Sequence, residues 1–375
     1  MKIPFNKADI QGNEIKYLSQ AITNGHISGD GYFSKKCSSL LESILDVPKI
    51  LLTTSCTHAL EMTSILLDIK PKDEVIIPSF TFVSTVNAFV LRGAIPIFVD
   101  IRPDTLNMDE SKVEELITEK TKAIVPVHYA GVGCEMDIIQ KISKRFNISI
   151  IEDNAHGLMG NYKNKHLGTF GDFSTLSFHE TKNFTCGEGG ALIIKNQSDI
   201  TRSEIIREKG TNRTAFFRGE IQKYSWVDIG SSYLSSDMLA GYLYAQLEVK
   251  DIIQKKREKL WNYYFINLSD WAKENDIRLP FVPDYCEQSY HMFYLLFPNK
   301  ENRTKFIKIM NKNDITCVFH YLPLNKSIMG NKFGWSEGDC PVSEDISERI
   351  VRLPFYNNLF SQIDYVIDNI LKIEF

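Results

Sequence analysis

The chain has no run of about 18 apolar residues, the length a membrane-spanning helix needs, and its opening MKIPFNKADI meets polar side chains before a signal-type apolar region can form. A cytoplasmic protein with no membrane contact is the expectation. Basic tracts are scarce as well: the cluster Lys255, Lys256, Arg257 and Lys259 lies in a helix-like stretch, is broken by Glu258, and reads as a solvated helix face. Nucleic acid is therefore not an expected partner, since phosphate binding rests on clustered Lys and Arg. The seven cysteines, Cys37, Cys56, Cys134, Cys186, Cys286, Cys317 and Cys340, are odd in number and widely spaced. None forms a Cys-x-x-Cys pair, so free thiols are expected and neither zinc nor a redox dithiol is. No Gly-x-Gly-x-x-Gly follows the first apolar strand, which counts against a dinucleotide-binding dehydrogenase. Internal repeats and low-complexity segments are missing too.

What is present is an ordinary globular composition. Among 375 residues, 43 Lys and Arg stand against 47 Asp and Glu, hydrophobic residues make up 43% and charged ones 24%. At about 150 residues per domain that length suggests two or three units, or one large domain with an appendage. Short apolar runs at 50–53, 74–77, 96–100, 123–127, 148–152, 173–178 and 191–194 alternate in their earlier part with helical-period stretches at 57–67, 108–117 and 136–146. This is the pattern of βαβ units feeding a mostly parallel, doubly covered sheet. After residue 235 the texture changes to one long helical candidate over 238–271, followed by Pro280, Pro283 and Pro298. A smaller α+β unit is expected there, with strands at 292–297 and 315–320 around a helix at 301–311. The division is thus a large α/β domain over 1–245 and a C-terminal unit over 246–375.

Ligands of open parallel sheets collect beyond the carboxyl ends of the strands, which singles out four junctions. Thr53-Thr54-Ser55-Cys56-Thr57 joins a strand to a helix, where free helix N–H groups and hydroxyls suit a phosphate, or simply a helix cap. Glu152-Asp153 closes the fifth run; an acid emerging from a buried strand must find a strong partner, either structural or a heterocyclic nitrogen that it keeps protonated. The segment Ser177-Phe178-His179-Glu180-Thr181-Lys182-Asn183 places a lysine in a loop before the glycines Gly187, Gly189 and Gly190. That lysine is either a solvated surface residue or an inward-facing amine nucleophile. Pro78-Ser79-Phe80-Thr81-Phe82 sets aromatic rings over the same edge, as core or as a stacking surface.

The four junctions become informative together. Pyridoxal 5'-phosphate (PLP) requires a lysine amine, a carboxylate against its ring nitrogen, a helix-end cup for its phosphate and a ring on its face.

The segments SCTHAL, PSFTFVST, VHYAG, EDNAH and SFHETKN with GEGG resemble the DegT/DnrJ/EryC1/StrS family of sugar aminotransferases, of the aspartate-aminotransferase-like fold (PLP fold type I), over nearly the whole chain. The resemblance implies that Lys182 carries the cofactor and that Asp153 faces its ring nitrogen. It implies further that His156 lies near the ring, that Phe82 rather than Phe80 stacks on it, and that Cys56, Thr57 and Ser177 hold the phosphate. Ser232 stands where many members place an Asn that reaches the phosphate from the other subunit. His320 and Tyr321 fall in the substrate pocket, and Asn325 replaces a His common in the family. Also implied are a homodimer with shared active sites, L-glutamate as amino donor and a nucleotide keto-sugar as acceptor, dTDP-4-dehydro-6-deoxy-D-glucose foremost. Lys182 argues against the dehydratase branch of the family, which has His at that place.

Overall fold

The computed structural model describes residues 2–375. Among these residues are twelve strands: β1 (Lys49–Thr53), β2 (Glu74–Pro78), β3 (Ile95–Val99), β4 (Thr121–Ile124), β5 (Ser149–Asp153), β6 (Asn161–Tyr162), β7 (Lys165–His166), β8 (Phe173–Ser177), β9 (Gly190–Ile194), β10 (Cys286–Glu287), β11 (Tyr294–Leu296) and β12 (Ile350–Arg352). Seven of them form one sheet in the order β1-β9-β8-β5-β4-β2-β3. The pairs β8 with β5, β5 with β4, β4 with β2 and β2 with β3 are parallel, whereas β9 is antiparallel to both of its neighbours. All strands except β9 therefore run the same way, and the sheet is the mostly parallel one that the apolar runs suggest.

Alternation along each strand sorts the side chains into two layers. Leu51, Val75, Ile77, Ile151 and Leu192 pack on one face, against Ala59, Leu60 and Met62 of helix α3 and Ala88 and Phe89 of helix α4. Ile76, Ile124 and Ile150 pack on the other, with Ile139 and Ile142 of α5. The preceding helices are α1 (Glu14–Thr23) and α2 (Tyr32–Leu45); α3 spans Cys56–Leu66, α4 Val83–Val90 and α5 Met136–Phe146. Helices α6 (Ile200–Arg207) and α7 (Arg213–Phe217) follow the sheet, and no helix among the described residues is long and apolar enough to cross a membrane.

Several sequence expectations are corrected here. The stretch 108–117 is not an α-helix but two single 3₁₀ turns, Glu110–Lys112 and Glu114–Leu116. Leu106 holds a φ of 61° just before it, and each turn closes locally, so the i to i+4 ladder never starts. The long helix expected over 238–271 is two, α8 (Asp237–Glu248) and α9 (Lys250–Glu274), broken at Val249 with φ −107° and ψ 22°. The break lets α8 bury Leu243 and Leu247 with the first-domain residues Phe33 and Leu41, while α9 delivers Leu260, Tyr264 and Leu268 to a second core. Arg257 on α9 is buried rather than solvated; its guanidinium donates to the carbonyls of Tyr290 and His291 at 2.9 and 2.6 Å and to Asn357 Oδ1 at 3.2 Å.

The second core gathers Phe293, Leu295 and Phe297 with Phe306 and Met310 of α10 (Lys300–Lys312) and Val366 and Ile370 near the C-terminus, and Ile3 from the start of the chain packs into it. Its sheet pairs β11 with β12. The segment 315–320 is extended but not a strand: it makes only isolated bridges, Ile315 to Ile3 and Val318 to Arg352. Among the described residues only two positions of that segment form a bridge, too few to propagate a ladder.

Candidate active site

The ends of β1, β8 and β9 meet in one rung, where Gly190 lies between Thr53 and Ser177. The chain turns straight from β1 into α3, whose N-cap Ser55 accepts from the His58 amide at 3.1 Å. That cap leaves the amides of Cys56 and Thr57 without an acceptor among the described residues, the orphan donors every helix start carries. Gly190 makes the approach feasible: a Cβ there would stand 2.3 Å from the Cys56 amide nitrogen. Two free amides and the Ser177 hydroxyl thus form a cup of donors fit for an oxyanion, with the Thr57 hydroxyl beside them engaged with Ser84 Oγ at 2.8 Å.

β5 presents two acids to opposite faces. Glu152, fully buried, accepts from His128 Nε2 and the Gly168 amide at 2.8 Å and from the amides of Phe170 and Gly171 at 2.7 Å. Burial pushes its pKa up, but the His128 bond and charge and the Gly171 and Gly168 amides outweigh it and hold the carboxyl below its ordinary value. Asp153 turns to the α3 and α4 side, where it accepts from Thr85 Oγ1 at 2.7 Å and from the Ala155 amide at 3.2 Å. Glu152 is thus the structural acid of the pair and Asp153 the one facing the junctions.

Lys182 sits in the turn between β8 and β9, its amide bonded to the His179 carbonyl at 2.9 Å. Its ammonium has no hydrogen-bond or ion-pair partner among the described residues, and burial pulls its pKa down to about 8 against the opposing fields of Cys56 and Asp153. An amine so placed is a ready nucleophile near neutral pH. His156, buried, stacks its ring on that of His291 at 4.1 Å between centroids, and its Nδ1 has no partner. Burial, then the charges of Lys182 and Arg352, keep it neutral. His291 donates from Nδ1 to Asn183 Oδ1 at 2.9 Å, an assignment set by the Asn183 amide nitrogen, which donates to the Ser289 carbonyl.

The two candidate rings separate clearly. Phe80 is fully buried against Tyr129, whereas Phe82 is 56% exposed at the start of α4, 6.2 Å from the ring of Tyr321. Tyr321 and the buried His320 adjoin this group, His320 sharing a hydrogen bond with the Tyr129 hydroxyl at 2.8 Å. Lys182, Asp153, Cys56, Thr57, Ser177, His156, Phe82, His320 and Tyr321 therefore gather at one sheet edge. Ser232 does not join them within one chain. It is exposed, bridges Glu208, and lines a separate cleft of about 800 Å³ with His26, Asp30, Arg207, Lys209 and Arg213. Asn325 is locked inside the fold, accepting from Ser79 Oγ at 2.6 Å and donating to the Ser336 carbonyl and Glu344 Oε1.

Sequence reasoning missed Thr85, Tyr129, His291 and Arg352. Thr85 falls in the PSFTFVST segment, one helical turn after Phe82, and a partner for Asp153 could have been sought there. Tyr129 falls in the VHYAG segment and could have been sought there, whereas His291 and Arg352 come from far along the chain and carry no local signal.

The donor set fits PLP: an unpaired buried amine, a carboxylate across from it, an orphaned imidazole nitrogen, a cup of free amides and an open aromatic face. Fold and site together define a PLP-dependent aminotransferase. The model of the DegT/DnrJ/EryC1/StrS aminotransferase family matches residues 8–371, and the chain belongs to that family. It is 30% identical to the GDP-perosamine synthase of Escherichia coli O157:H7, covering 98% of this chain and 97% of the relative. It is 28% identical to the spore coat polysaccharide biosynthesis protein SpsC of Bacillus subtilis, covering 99% and 97%. A Streptococcus pneumoniae protein described as a sugar aminotransferase, solved in its PLP form, superposes with a TM-score of 0.89 at 28% identity over 98% of this chain and 97% of its own.

Proposed function

We propose that the enzyme moves an amino group from L-glutamate to the 4-keto carbon of a nucleotide-linked sugar, dTDP-4-dehydro-6-deoxy-D-glucose, to give dTDP-4-amino-4,6-dideoxy-D-galactose. The observation that carries the transamination is the unpaired Lys182 amine, poised near pH 8 beside Asp153. The nucleotide sugar is supported by likeness over 98% of the chain to a protein named for a GDP-linked sugar product, and by the segments 82–94, 98–110, 124–137, 205–219 and 223–234, which look like bacterial enzymes making the dTDP-linked product.

PLP supplies the electron sink that lets an amino acid lose its α-proton. Lys182 would hold the cofactor through its amine, and that amine, once free, would remove and return protons as general base and acid. Asp153, oriented by Thr85, holds positive charge on the ring nitrogen. His156, with its unpartnered Nδ1, and the open face of Phe82 would serve the ring, and Cys56, Thr57 and Ser177 would hold the phosphate. His320 and Tyr321 border the sugar.

The reading includes a homodimer, with Ser232 and its cleft serving the site of a second copy. Support comes from apolar side chains left bare on the same excursion of the chain, Trp226 at 79% and Phe217 at 70% exposure. We divide the chain into a cofactor-binding unit over 1–245 and a C-terminal unit over 246–375, and place the enzyme in the cytoplasm, where its product feeds surface polysaccharide such as lipopolysaccharide. A panel of dTDP-, UDP- and GDP-linked 3-keto and 4-keto sugars offered to the aminated enzyme tests the assignment. Preference for the dTDP-linked 4-keto sugar is expected; preference for a 3-keto or UDP-linked sugar overturns it.

A further inference from the structure

The segment 289–291, just before β11, ties together the two loops that carry His156 and Lys182. Its backbone is fixed from α9: Gln254 Nε2 donates to the Ser289 carbonyl at 2.9 Å, and the Arg257 guanidinium to those of Tyr290 and His291 at 2.9 and 2.6 Å. From the other side the Gly131 carbonyl accepts from the Ser289 amide at 3.1 Å. Tyr290, the middle residue, holds a φ of 53°, a left-handed conformation that a bulky side chain keeps only where its surroundings over-determine it.

The side chains of this segment reach the site. Ser289 Oγ donates to the His156 carbonyl, and the Ser289 carbonyl also accepts from Asn183 Nδ2 at 2.6 Å. His291 Nδ1 donates to Asn183 Oδ1 at 2.9 Å, and Asn183 directly follows Lys182. The buried His291 ring lies on that of His156, with centroids 4.1 Å apart and planes 18° from parallel. Burial, then the fields of His156, Lys182, Arg257 and Arg352, keep His291 neutral, so two uncharged rings meet without repulsion. Of the four side chains in this knot, only His156 keeps a buried polar atom without a partner, its Nδ1. A cluster that served packing alone would satisfy that atom.

We propose that His291 is a positioning residue of the cofactor site: its ring seats the His156 imidazole, and its bond to Asn183 sets that seat against the turn bearing Lys182. The proposal rests on the PLP reading of the site and on neither the donor nor the sugar. Ser289 fixes the His156 backbone, but the side-chain torsions of His156 still need a wall. The His291 ring is that wall; without it the imidazole can leave its rotamer and the free Nδ1 loses its fixed direction.

Three replacements separate the two contacts. His291→Asn keeps a donor for Asn183 and removes the ring, His291→Phe keeps a ring and removes the donor, and His291→Ala removes both. PLP affinity of each apoprotein is measured by equilibrium dialysis, the visible band of each PLP-loaded protein is recorded, and thermal unfolding is followed without cofactor. Phe306→Leu, in the second core, is the comparison for a loss of stability alone. His291→Ala and His291→Asn are expected to bind PLP about tenfold more weakly and to shift the band maximum. His291→Phe should lie between them and the unsubstituted protein, and Phe306→Leu should lower the unfolding temperature while moving neither reading. Unchanged affinity and band in His291→Asn overturn the proposal, as does a His291→Phe protein no better than His291→Ala. Equal changes in Phe306→Leu at a matched loss of stability also overturn it, leaving His291 a packing role. If His291→Ala does not fold, His291→Asn and His291→Phe decide. Failure of the unsubstituted protein to bind PLP overturns the reading of the site itself, and the proposal with it.

Discussion

Thr85 Oγ1 donates to Asp153 Oδ2 at 2.7 Å, tying the first turn of α4 to the end of β5. The Ala155 amide holds the other carboxylate oxygen, so the group cannot rotate freely. Thr85→Val removes one of these supports and is expected to lower kcat/KM about tenfold while PLP still binds. Asp153→Asn removes the charge itself and is expected to lower kcat by about 10²-fold or more. Steady-state kinetics of both variants checks the order; near-normal turnover in Asp153→Asn would remove this residue from its role.

Lys182→Ala is expected to abolish turnover with the fold intact, as read by circular dichroism and thermal unfolding. A second expectation follows from the pKa of about 8. The neutral amine attacks the aldehyde, so capture of PLP by the apoprotein is slow below that pH and rises as pH passes through it. A capture profile that inflects near the ordinary lysine value of 10.5 would contradict the assignment of burial as the controlling force.

Glu152 is a matter of stability. Its folded pKa lies below its ordinary value of 4.5, so its contribution is complete above that pH and is lost as pH falls through the lowered folded value. Glu152→Gln places an amide nitrogen among four donors and is expected to cost about 2–4 kcal/mol at pH 7. The variant's stability should also depend less on pH in the acid range. Urea unfolding of both proteins between pH 7 and pH 3 measures the two effects.

Gly190→Ala drives a Cβ to 2.3 Å from the Cys56 nitrogen and the Ser55 carbonyl carbon, both of them backbone atoms that cannot swing aside. We expect about 1–3 kcal/mol of lost stability. PLP affinity should fall at least about tenfold, because the start of α3 must move. Equilibrium dialysis of the cofactor reads the second quantity.

Much of the sheet could be read from the chain because strands buried on both faces appear as short apolar runs, and the runs around Leu51, Ile151 and Leu176 end at Thr53, Asp153 and Ser177. The break at Val249 could not be read, since both flanking segments carry helical periodicity and only their attachment to different cores separates them. Arg257 misled for a related reason: a basic helix face looks solvated until the carbonyls of Tyr290 and His291 fold over it. The inward turn of Arg352 depends on the pairing of β12 with β11, a long-range event without a local pattern. His156 was visible beside Asp153, but its stacking partner His291 lies far along the chain.

The most direct test of the account is the visible spectrum of the purified protein with PLP, before and after L-glutamate. An absorption band from lysine-bound PLP that gives way to the pyridoxamine phosphate band is the predicted result, and Lys182→Ala should lack the first band. A lysine-bound band unmoved by glutamate would contradict the proposed donor, and no band at all would contradict the assignment of Lys182 as the residue that holds the cofactor.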